Sequence, residues 1–165
     1  MKTVTIIRGI SGSAKSTLAS KIITDNNILS DPNKPIMEVF EADRWFINSC
    51  GEYVFDTTQL FNAHAWCRLS VEHFLRSNLH CTAIVSNTST TFKEILPYAE
   101  IAKKYGAFIN IMEPSTEWKY NPGECYKKNK HNAPLATIER QLERLRANQL
   151  LIGTYSAEAL ISIVG

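Results

Sequence analysis

The most informative segment of this chain is Arg8-Gly9-Ile10-Ser11-Gly12-Ser13-Ala14-Lys15-Ser16-Thr17. It follows an apolar, β-branched run, Val4-Thr5-Ile6-Ile7, and precedes residues 17–24, whose composition favours a helix. A glycine-bearing turn between a strand and a helix, with Lys-Ser at the helix start, is typical of a phosphate-binding loop. Glycines let backbone N–H groups turn towards phosphate oxygens, and the helix amino terminus adds partial positive charge. The segment therefore predicts a site for nucleotide phosphates.

Each part of this loop has a predicted task. Lys15 would reach the β- and γ-phosphates, and the Ser16 hydroxyl would ligate Mg²⁺. The residues predicted to hold the nucleotide are Gly9, Ser11, Gly12, Ser13, Ala14, Lys15, Ser16 and Thr17.

Ala14 departs from the usual pattern, which has glycine immediately before the lysine. If this position needs a positive φ, alanine costs roughly 1 kcal/mol. Gly9 and Gly12 remain, so we expect a working loop with altered geometry. The alternative interpretation is an ordinary strand-to-helix turn rich in small residues.

Composition favours one cytoplasmic domain, residues 1–165. This length is sufficient for a sizeable core, and a net charge of +2 is too small to indicate nucleic acid by itself. No apolar run is long enough to span a membrane, and the first predicted strand follows Met1-Lys2 directly, unlike a signal peptide. The cysteines are widely spaced, which favours reduced, packed thiols over a zinc site or disulfides: Cys50, Cys67, Cys81 and Cys125.

Polar side chains follow two further predicted strands. Asp43 comes two residues after the segment 36–41, and Asn87 and Thr88 follow residues 81–85. Ligands of open α/β sheets bind outside the carboxyl ends of the strands. Asp43 there can accept a proton from a hydroxyl or hold a metal-bound water, and a helix N-cap is the alternative. Because Asn87 brings no charge, a metal would depend on Ser16, the nucleotide phosphates and Asp43.

The remaining pattern predicts a helix from residues 56–58 to about 78, a helix over 91–105 and a strand over 107–112. His64 lies on the apolar stripe of the first of these helices, which favours a hydrogen-bonded structural histidine over a catalytic one. The final stretch, residues 150–165, is apolar enough to pack on the sheet as a strand or a short helix.

A basic helical segment, residues 124–130, is followed by a polar interruption and then by a helix that Pro134 can open. A small helical lid at about 121–134 is one interpretation, and Lys127 and Lys128 would then stabilise charge on a transferring phosphoryl group. A solvated basic face is the alternative.

Several motifs together resemble the polynucleotide-kinase-type P-loop kinases. They are GISGSAKST at 9–17, EADRWF at 41–46, NAHAWC at 62–67, SNTSTTFKEILPYAEIAKKYGAFI at 86–109 and YKKNKHNAPLATIERQLERL at 126–145. The resemblance implies an α/β fold with a parallel sheet of four to five strands, flanked by helices and carrying a helical lid. It also implies ATP with Mg²⁺, and phosphoryl transfer to a 5′-hydroxyl of DNA or RNA. Lys15 and Ser16 then bind phosphates and metal, Asp43 is the base, and Lys128 assists the transfer.

The chain departs from that family on the acceptor side. Phe46 stands where the family has an arginine three residues after its base, so Arg44 is the nearby cation, with Asn87 and Thr88 as further substrate contacts. Two other functions therefore stay open: a kinase of a small nucleotide, nucleoside or modified base, and a nucleotide-binding switch with slow ATP hydrolysis. The sequence identifies no protein partner and leaves the oligomeric state open.

Overall fold

The computed structural model describes residues 1–165, and at its centre lies a five-stranded sheet in the order β2-β3-β1-β4-β5. Its strands are β1 Lys2–Ile7, β2 Ile36–Phe40, β3 Cys81–Val85, β4 Phe108–Met112 and β5 Gly153–Tyr155. The first four strands are parallel, and β5 is antiparallel to β4. The predicted α/β fold is confirmed, with one correction to the sheet, since its fifth strand runs the other way.

Six α-helices surround this sheet, and two 3₁₀ helices precede α2. The α-helices are α1 Lys15–Ile28, α2 Leu60–Ser77, α3 Phe92–Lys104, α4 Pro122–Lys128, α5 Leu135–Ala147 and α6 Ala157–Val164. The 3₁₀ helices are Ala42–Phe46 and Thr57–Gln59. Helix α1 contains the segment 17–24 that the sequence predicts to be helical, and near its end the Asn26 side chain donates to the Pro35 carbonyl at 3.2 Å. None of the helices is both long and apolar enough to cross a membrane.

The two faces of the sheet pack on different helices. Val4 and Ile6 of β1 belong to the main core, which α2, α3 and α6 complete. Ile7 points to the other face, where it packs with Ala19 of α1 and Ile84 of β3. Strands with buried residues on both faces are typical of a parallel sheet covered on each side.

A third, smaller cluster joins the loop after β1 to the helices that follow β4. Ile10 is fully buried there among Cys125 of α4 and Ile138, Leu142 and Leu145 of α5. Helices α4 and α5 therefore pack directly on the loop that the sequence predicts to bind phosphate.

Arg8 explains why β5 runs antiparallel. Its buried guanidinium donates to the Ser89 carbonyl (2.8 Å), the Thr90 carbonyl (3.1 Å) and the Asn148 carbonyl (2.7 Å). Asn148 caps the end of α5 and is thereby held at the carboxyl edge of the sheet, beside the end of β1. A strand that starts from this edge must run back along β4 in the opposite direction.

Gly12 allows α4 to approach the loop. It has a φ of +83°, and a Cβ built on it would lie 2.0 Å from the Cys125 carbonyl oxygen. The Trp118 indole also donates to the Gly12 carbonyl (3.2 Å), and the Thr116 hydroxyl donates to the Ser13 carbonyl (3.1 Å). The segment after β4 is thus fixed to the loop by both packing and hydrogen bonds.

Gly12→Ala is expected to lower the free energy of unfolding more than Gly51→Ala. Both glycines have similar left-handed φ, +83° and +80°, but a Cβ at Gly51 would meet nothing within 4 Å. Each variant incurs the left-handed cost of about 1–2 kcal/mol, and only Gly12→Ala adds an overpacking cost of about 1–3 kcal/mol. Thermal unfolding of both variants measures the difference. Equal shifts in melting temperature would show that α4 does not press on the loop.

Candidate active site

The loop between β1 and α1 has the free donors that an anion site requires. The backbone N–H groups of Ala14, Lys15, Ser16 and Thr17 donate to no acceptor within the chain, and no side chain caps α1. The Ser13 hydroxyl is fully buried and also has no partner. Nucleotide phosphates fit this loop because their oxygens would accept from these unused donors.

Ala14 lies in the left-handed region, with φ 78° and ψ 35°. The backbone at this position therefore does need a positive φ, and the cost of roughly 1 kcal/mol expected for an alanine there applies. Gly12 has a similar φ, and together the two residues turn the loop into the start of α1.

Lys15 is the cation of this loop. Its Nζ donates to the Ile10 carbonyl at 3.0 Å, so the side chain folds back over the loop. Burial lowers the pKa of Lys15 to about 8, and the charges of Asp43, Cys125 and Glu41 offset part of this effect. A part-buried ammonium with one carbonyl partner is a group that an anionic phosphate would stabilise.

Ser16 is paired with Glu41, a residue not predicted from the sequence to belong to the site. The Ser16 hydroxyl donates to Glu41 Oε1 at 3.1 Å. No group of three or more His, Cys, Asp or Glu side chains forms a metal cluster anywhere in the chain. Two oxygen ligands beside a phosphate loop fit Mg²⁺, which usually completes its coordination with phosphates and water.

Asp43 lies in the 3₁₀ helix that follows β2, and it caps no helix. The N-cap position of that helix is Glu41, so the capping alternative for Asp43 is wrong. The Asp43 carboxylate accepts from the Tyr53 hydroxyl (3.4 Å), and its other oxygen lies 3.7 Å from Nε2 of His131. Burial raises the pKa of the Tyr53 phenol to about 12, with a further contribution from the charge and hydrogen bond of Asp43, so the phenol stays a donor at neutral pH.

Asn87 holds the end of β2 against the end of β3. Its Oδ1 accepts from the Ala42 N–H at 2.8 Å, and its Nδ2 donates to the Tyr98 hydroxyl at 3.4 Å. The amide thus positions the 3₁₀ helix that carries Asp43. The Thr88 carbonyl accepts from the Gly9 N–H at 3.0 Å, which ties the same strand end to the loop. Contact of Asn87 and Thr88 with a substrate stays a prediction.

The predicted cations have other partners in this structure. Arg44 donates to the Val39 carbonyl at 2.8 Å and lies 3.6 Å from the Glu41 carboxylate. Lys127 pairs with Glu124 of its own helix, and the Lys128 ammonium lies 4.6 Å from the centre of the Trp118 ring. Trp118, which Lys128 contacts, itself donates a hydrogen bond to the Gly12 carbonyl. Roles for these three cations towards phosphate or nucleic acid stay predictions.

Three residues near the predicted base or metal position were missed from the sequence: Glu41, Tyr53 and His131. Glu41 had a detectable signal, because it is the acidic residue at the end of a predicted strand. Tyr53 and His131 had none, since they come from a loop and from the segment after α4. His64 corrects another expectation, because it is half-buried in α2 but its ring makes no hydrogen bond within the chain.

Comparison with known proteins defines the class of this fold. A family model described as an AAA domain matches residues 4–148, and the chain belongs to this family. The human protein NEDD4-binding protein 2 is 31% identical over 138 residues, which are 84% of this chain and 7% of that protein. The chain therefore corresponds to a small part of that relative's length.

Solved structures agree on the architecture. A chain of the Pnkp1/Rnl/Hen1 RNA repair complex has a TM-score of 0.69 and 16% identity, covering 94% of this chain and 48% of that one. The structure titled APE1195 has a TM-score of 0.54 and 14% identity, with coverage of 88% and 95%. These likenesses concern the fold. With the family match, they confirm the P-loop type of α/β fold that the sequence predicts.

Binding of a nucleotide analogue is expected to take up protons near pH 8. At this pH about half of the free chain carries an uncharged Lys15, given a pKa of about 8, and phosphate oxygens favour the charged form. Affinity should therefore fall as the pH rises above 8. Calorimetric titration with a non-hydrolysable ATP analogue, in two buffers of different ionisation enthalpy, measures the proton uptake.

Lys15→Met is the control for this experiment, because it should remove both the proton uptake and most of the affinity. A binding heat at pH 8 that does not depend on the buffer would contradict the assignment of Lys15 to the phosphates.

Ala14→Gly is expected to stabilise the protein slightly and to leave nucleotide affinity unchanged or increased. Glycine removes a left-handed cost of about 1–2 kcal/mol, while the greater freedom of the unfolded chain returns about 0.4–1 kcal/mol. Thermal unfolding measures the net effect. The matched control is Ala65→Gly in the interior of α2, which is also part-exposed and should instead destabilise by about 0.5–1 kcal/mol. A lower melting temperature for Ala14→Gly would contradict the strain at this position.

Proposed function

We propose that this chain is an ATP-dependent kinase that transfers the γ-phosphate to a hydroxyl, with the 5′-hydroxyl of DNA or RNA as the leading acceptor. The loop residues, among them Lys15 and Ser16, would hold the nucleotide. Mg²⁺, held by the Ser16 hydroxyl and Glu41 together with the nucleotide, would neutralise phosphate charge.

The observation that supports a kinase best is the position of Asp43. Its carboxylate lies at the carboxyl edge of the sheet, caps no helix and is close enough to Lys15 for its charge to raise the pKa of the ammonium. A carboxylate that has no structural partner beyond Tyr53 and His131, beside a phosphate loop, is suited to accept a proton from an incoming hydroxyl.

The proposed reaction transfers one proton to Asp43 and one phosphoryl group to the acceptor. The acceptor hydroxyl gives its proton to the Asp43 carboxylate, and its oxygen forms a bond to the γ-phosphorus. The bond between this phosphorus and the β–γ bridging oxygen breaks, and the chain releases ADP. Lys15 and the loop N–H groups would stabilise charge on the phosphate oxygens throughout, and Lys128 would add a cation if Trp118 released it.

Nucleic acid is the leading acceptor for two reasons. The motifs at the strand ends and after α4 resemble those of polynucleotide-kinase-type enzymes, and the solved structure with the TM-score of 0.69 belongs to an assembly titled as an RNA repair complex. Any backbone phosphates of such an acceptor would meet the lysines of residues 127–130, which directly precede His131, whose Nε2 lies 3.7 Å from the Asp43 carboxylate. Binding through so few cations should weaken only gradually with added salt.

An acceptor panel with γ-labelled ATP tests this proposal. The panel contains 5′-hydroxyl DNA, 5′-hydroxyl RNA, nucleosides and water. Label on an oligonucleotide supports the proposal, label on nucleosides alone would indicate a small-molecule kinase, and label in inorganic phosphate alone would indicate a hydrolytic switch.

Asp43→Asn is expected to reduce transfer by about 10²–10⁴-fold while leaving the melting temperature and nucleotide affinity close to wild type. The amide retains the shape of the side chain but cannot take the proton. The rate of label transfer measures the effect, and Asp25→Asn, an exposed acidic residue of α1, is the matched control. Full activity in the Asp43→Asn variant would overturn the proposed mechanism.

A further inference from the structure

Next to Asp43 lies a group of aromatic rings for which the proposed chemistry has no use. Tyr53 is held by its hydroxyl bond to Asp43, and its ring stacks almost parallel to Phe55, with the centroids 6.4 Å apart and the planes at 15°. Phe46 supports Tyr53 from the side, with an edge contact at 6.0 Å. Contacts at both ends of the side chain therefore fix the plane of the Tyr53 ring.

One contact on this ring comes from a distant part of the chain. The His131 ring lies 4.5 Å from the Tyr53 ring, with the planes tilted by 34°, and its Nε2 is 3.7 Å from Asp43 Oδ2. His131 belongs to the loop after α4, residues 129–134, where the Asn129 side chain accepts from its backbone N–H. The same loop is anchored by Ala133, which packs on the cluster around Ile10.

We propose that the Tyr53 ring is the stacking site for the terminal nucleobase of the acceptor, and that His131 occupies this site until the acceptor binds. The proposal rests on the proposed function, and it adds the part of the substrate that is recognised. Only the sugar separates a 5′-hydroxyl from its own base. A hydroxyl at Asp43 therefore brings that base to the immediate surroundings of Asp43, where Tyr53 and Phe55 lie.

The contact of His131 supports a planar heteroaromatic ligand. An imidazole at stacking distance from Tyr53, with a ring nitrogen facing the carboxylate, shows that a flat nitrogen-containing ring fits there. Aromatic rings prefer centroid distances of about 4.5–7 Å, so no base fits between Tyr53 and His131 at their present separation of 4.5 Å. The acceptor must therefore displace His131, and the two compete for one position.

This arrangement also predicts which kinds of nucleic-acid 5′ end the chain uses as acceptors. Stacking on a tyrosine uses the face that every base has, so it discriminates little between the four bases. A base inside a duplex is already covered by its neighbour, whereas an unpaired terminal base has a free face. The site should thus favour single-stranded or frayed 5′ ends over blunt duplex ends.

The test combines two acceptors with three substitutions. The acceptors are a short 5′-hydroxyl oligonucleotide and the same strand whose 5′-terminal residue is an abasic sugar that retains its hydroxyl. The wild type should bind the abasic strand about 5- to 150-fold more weakly, as expected for one lost base–aromatic stack. Tyr53→Leu should bind both strands equally weakly, and Tyr53→Phe should retain the preference because it keeps the ring.

The third substitution tests whether His131 occupies the stacking site on Tyr53. His131→Ala should lower the KM for the complete strand, because it removes the competitor, and should leave the KM for ATP unchanged. The matched control is His73→Ala, an exposed histidine of α2 whose ring contacts Arg76. A raised KM in His131→Ala would mean that His131 holds the acceptor and would overturn its role as occupant.

A readout independent of transfer uses 2-aminopurine as the 5′-terminal base. Its fluorescence should be quenched on binding to the wild type and Tyr53→Phe but not to Tyr53→Leu. If Tyr53→Leu does not fold, the comparison of complete and abasic strands on the wild type still decides. Equal binding of the two strands would overturn the stacking site while leaving the kinase intact, whereas no transfer to any oligonucleotide would overturn the proposed function itself.

Discussion

The constraint on which the rest of this structure depends is the turn after β1. The chain leaves a buried strand at Ile7 and must begin α1 at Lys15, and it does so with Gly12 and Ala14 both in left-handed conformations. This path leaves the amide groups at the start of α1 without acceptors and brings Lys15 back over the loop. The free donors and the part-buried cation that define the site both follow from one backbone path.

The same turn determines how the segment after β4 packs. Ile10 is the centre of a small apolar cluster, and Gly12 lets the Cys125 carbonyl approach the backbone. Because α4 is attached there, the 129–134 loop that follows it is carried towards Asp43. The phosphate loop and the 129–134 loop are therefore joined through α4 and the apolar cluster around Ile10.

Polar side chains hold the carboxyl edge of the sheet together at a free-energy cost that the core must offset. Arg8 is buried without a carboxylate partner, and burial lowers the pKa of its guanidinium despite three carbonyl acceptors. It fixes the segment Ser89–Thr90, in which Ser89 itself has a positive φ of 46°. Asn87 performs a similar task between β2 and β3. A free-energy cost accepted at one edge of the sheet is typical of a functional site whose geometry must be maintained.

The local pattern alone determined the first four strands, most of the helices and the phosphate loop. Residues 81–85 form a strand as predicted, and Thr91 and Pro134 begin helices as expected, since alternation, caps and glycines act over a few residues. Only the tertiary structure decided the direction of β5, the pairing of Ser16 with Glu41, the partner of Asn87 and the meeting of Tyr53 with His131. These contacts join residues that are far apart in the chain, and the packing of α4 and α5 on Ile10 brings the last of them together. No local periodicity encodes such packing, because it depends on the volumes and bonds of several elements at once.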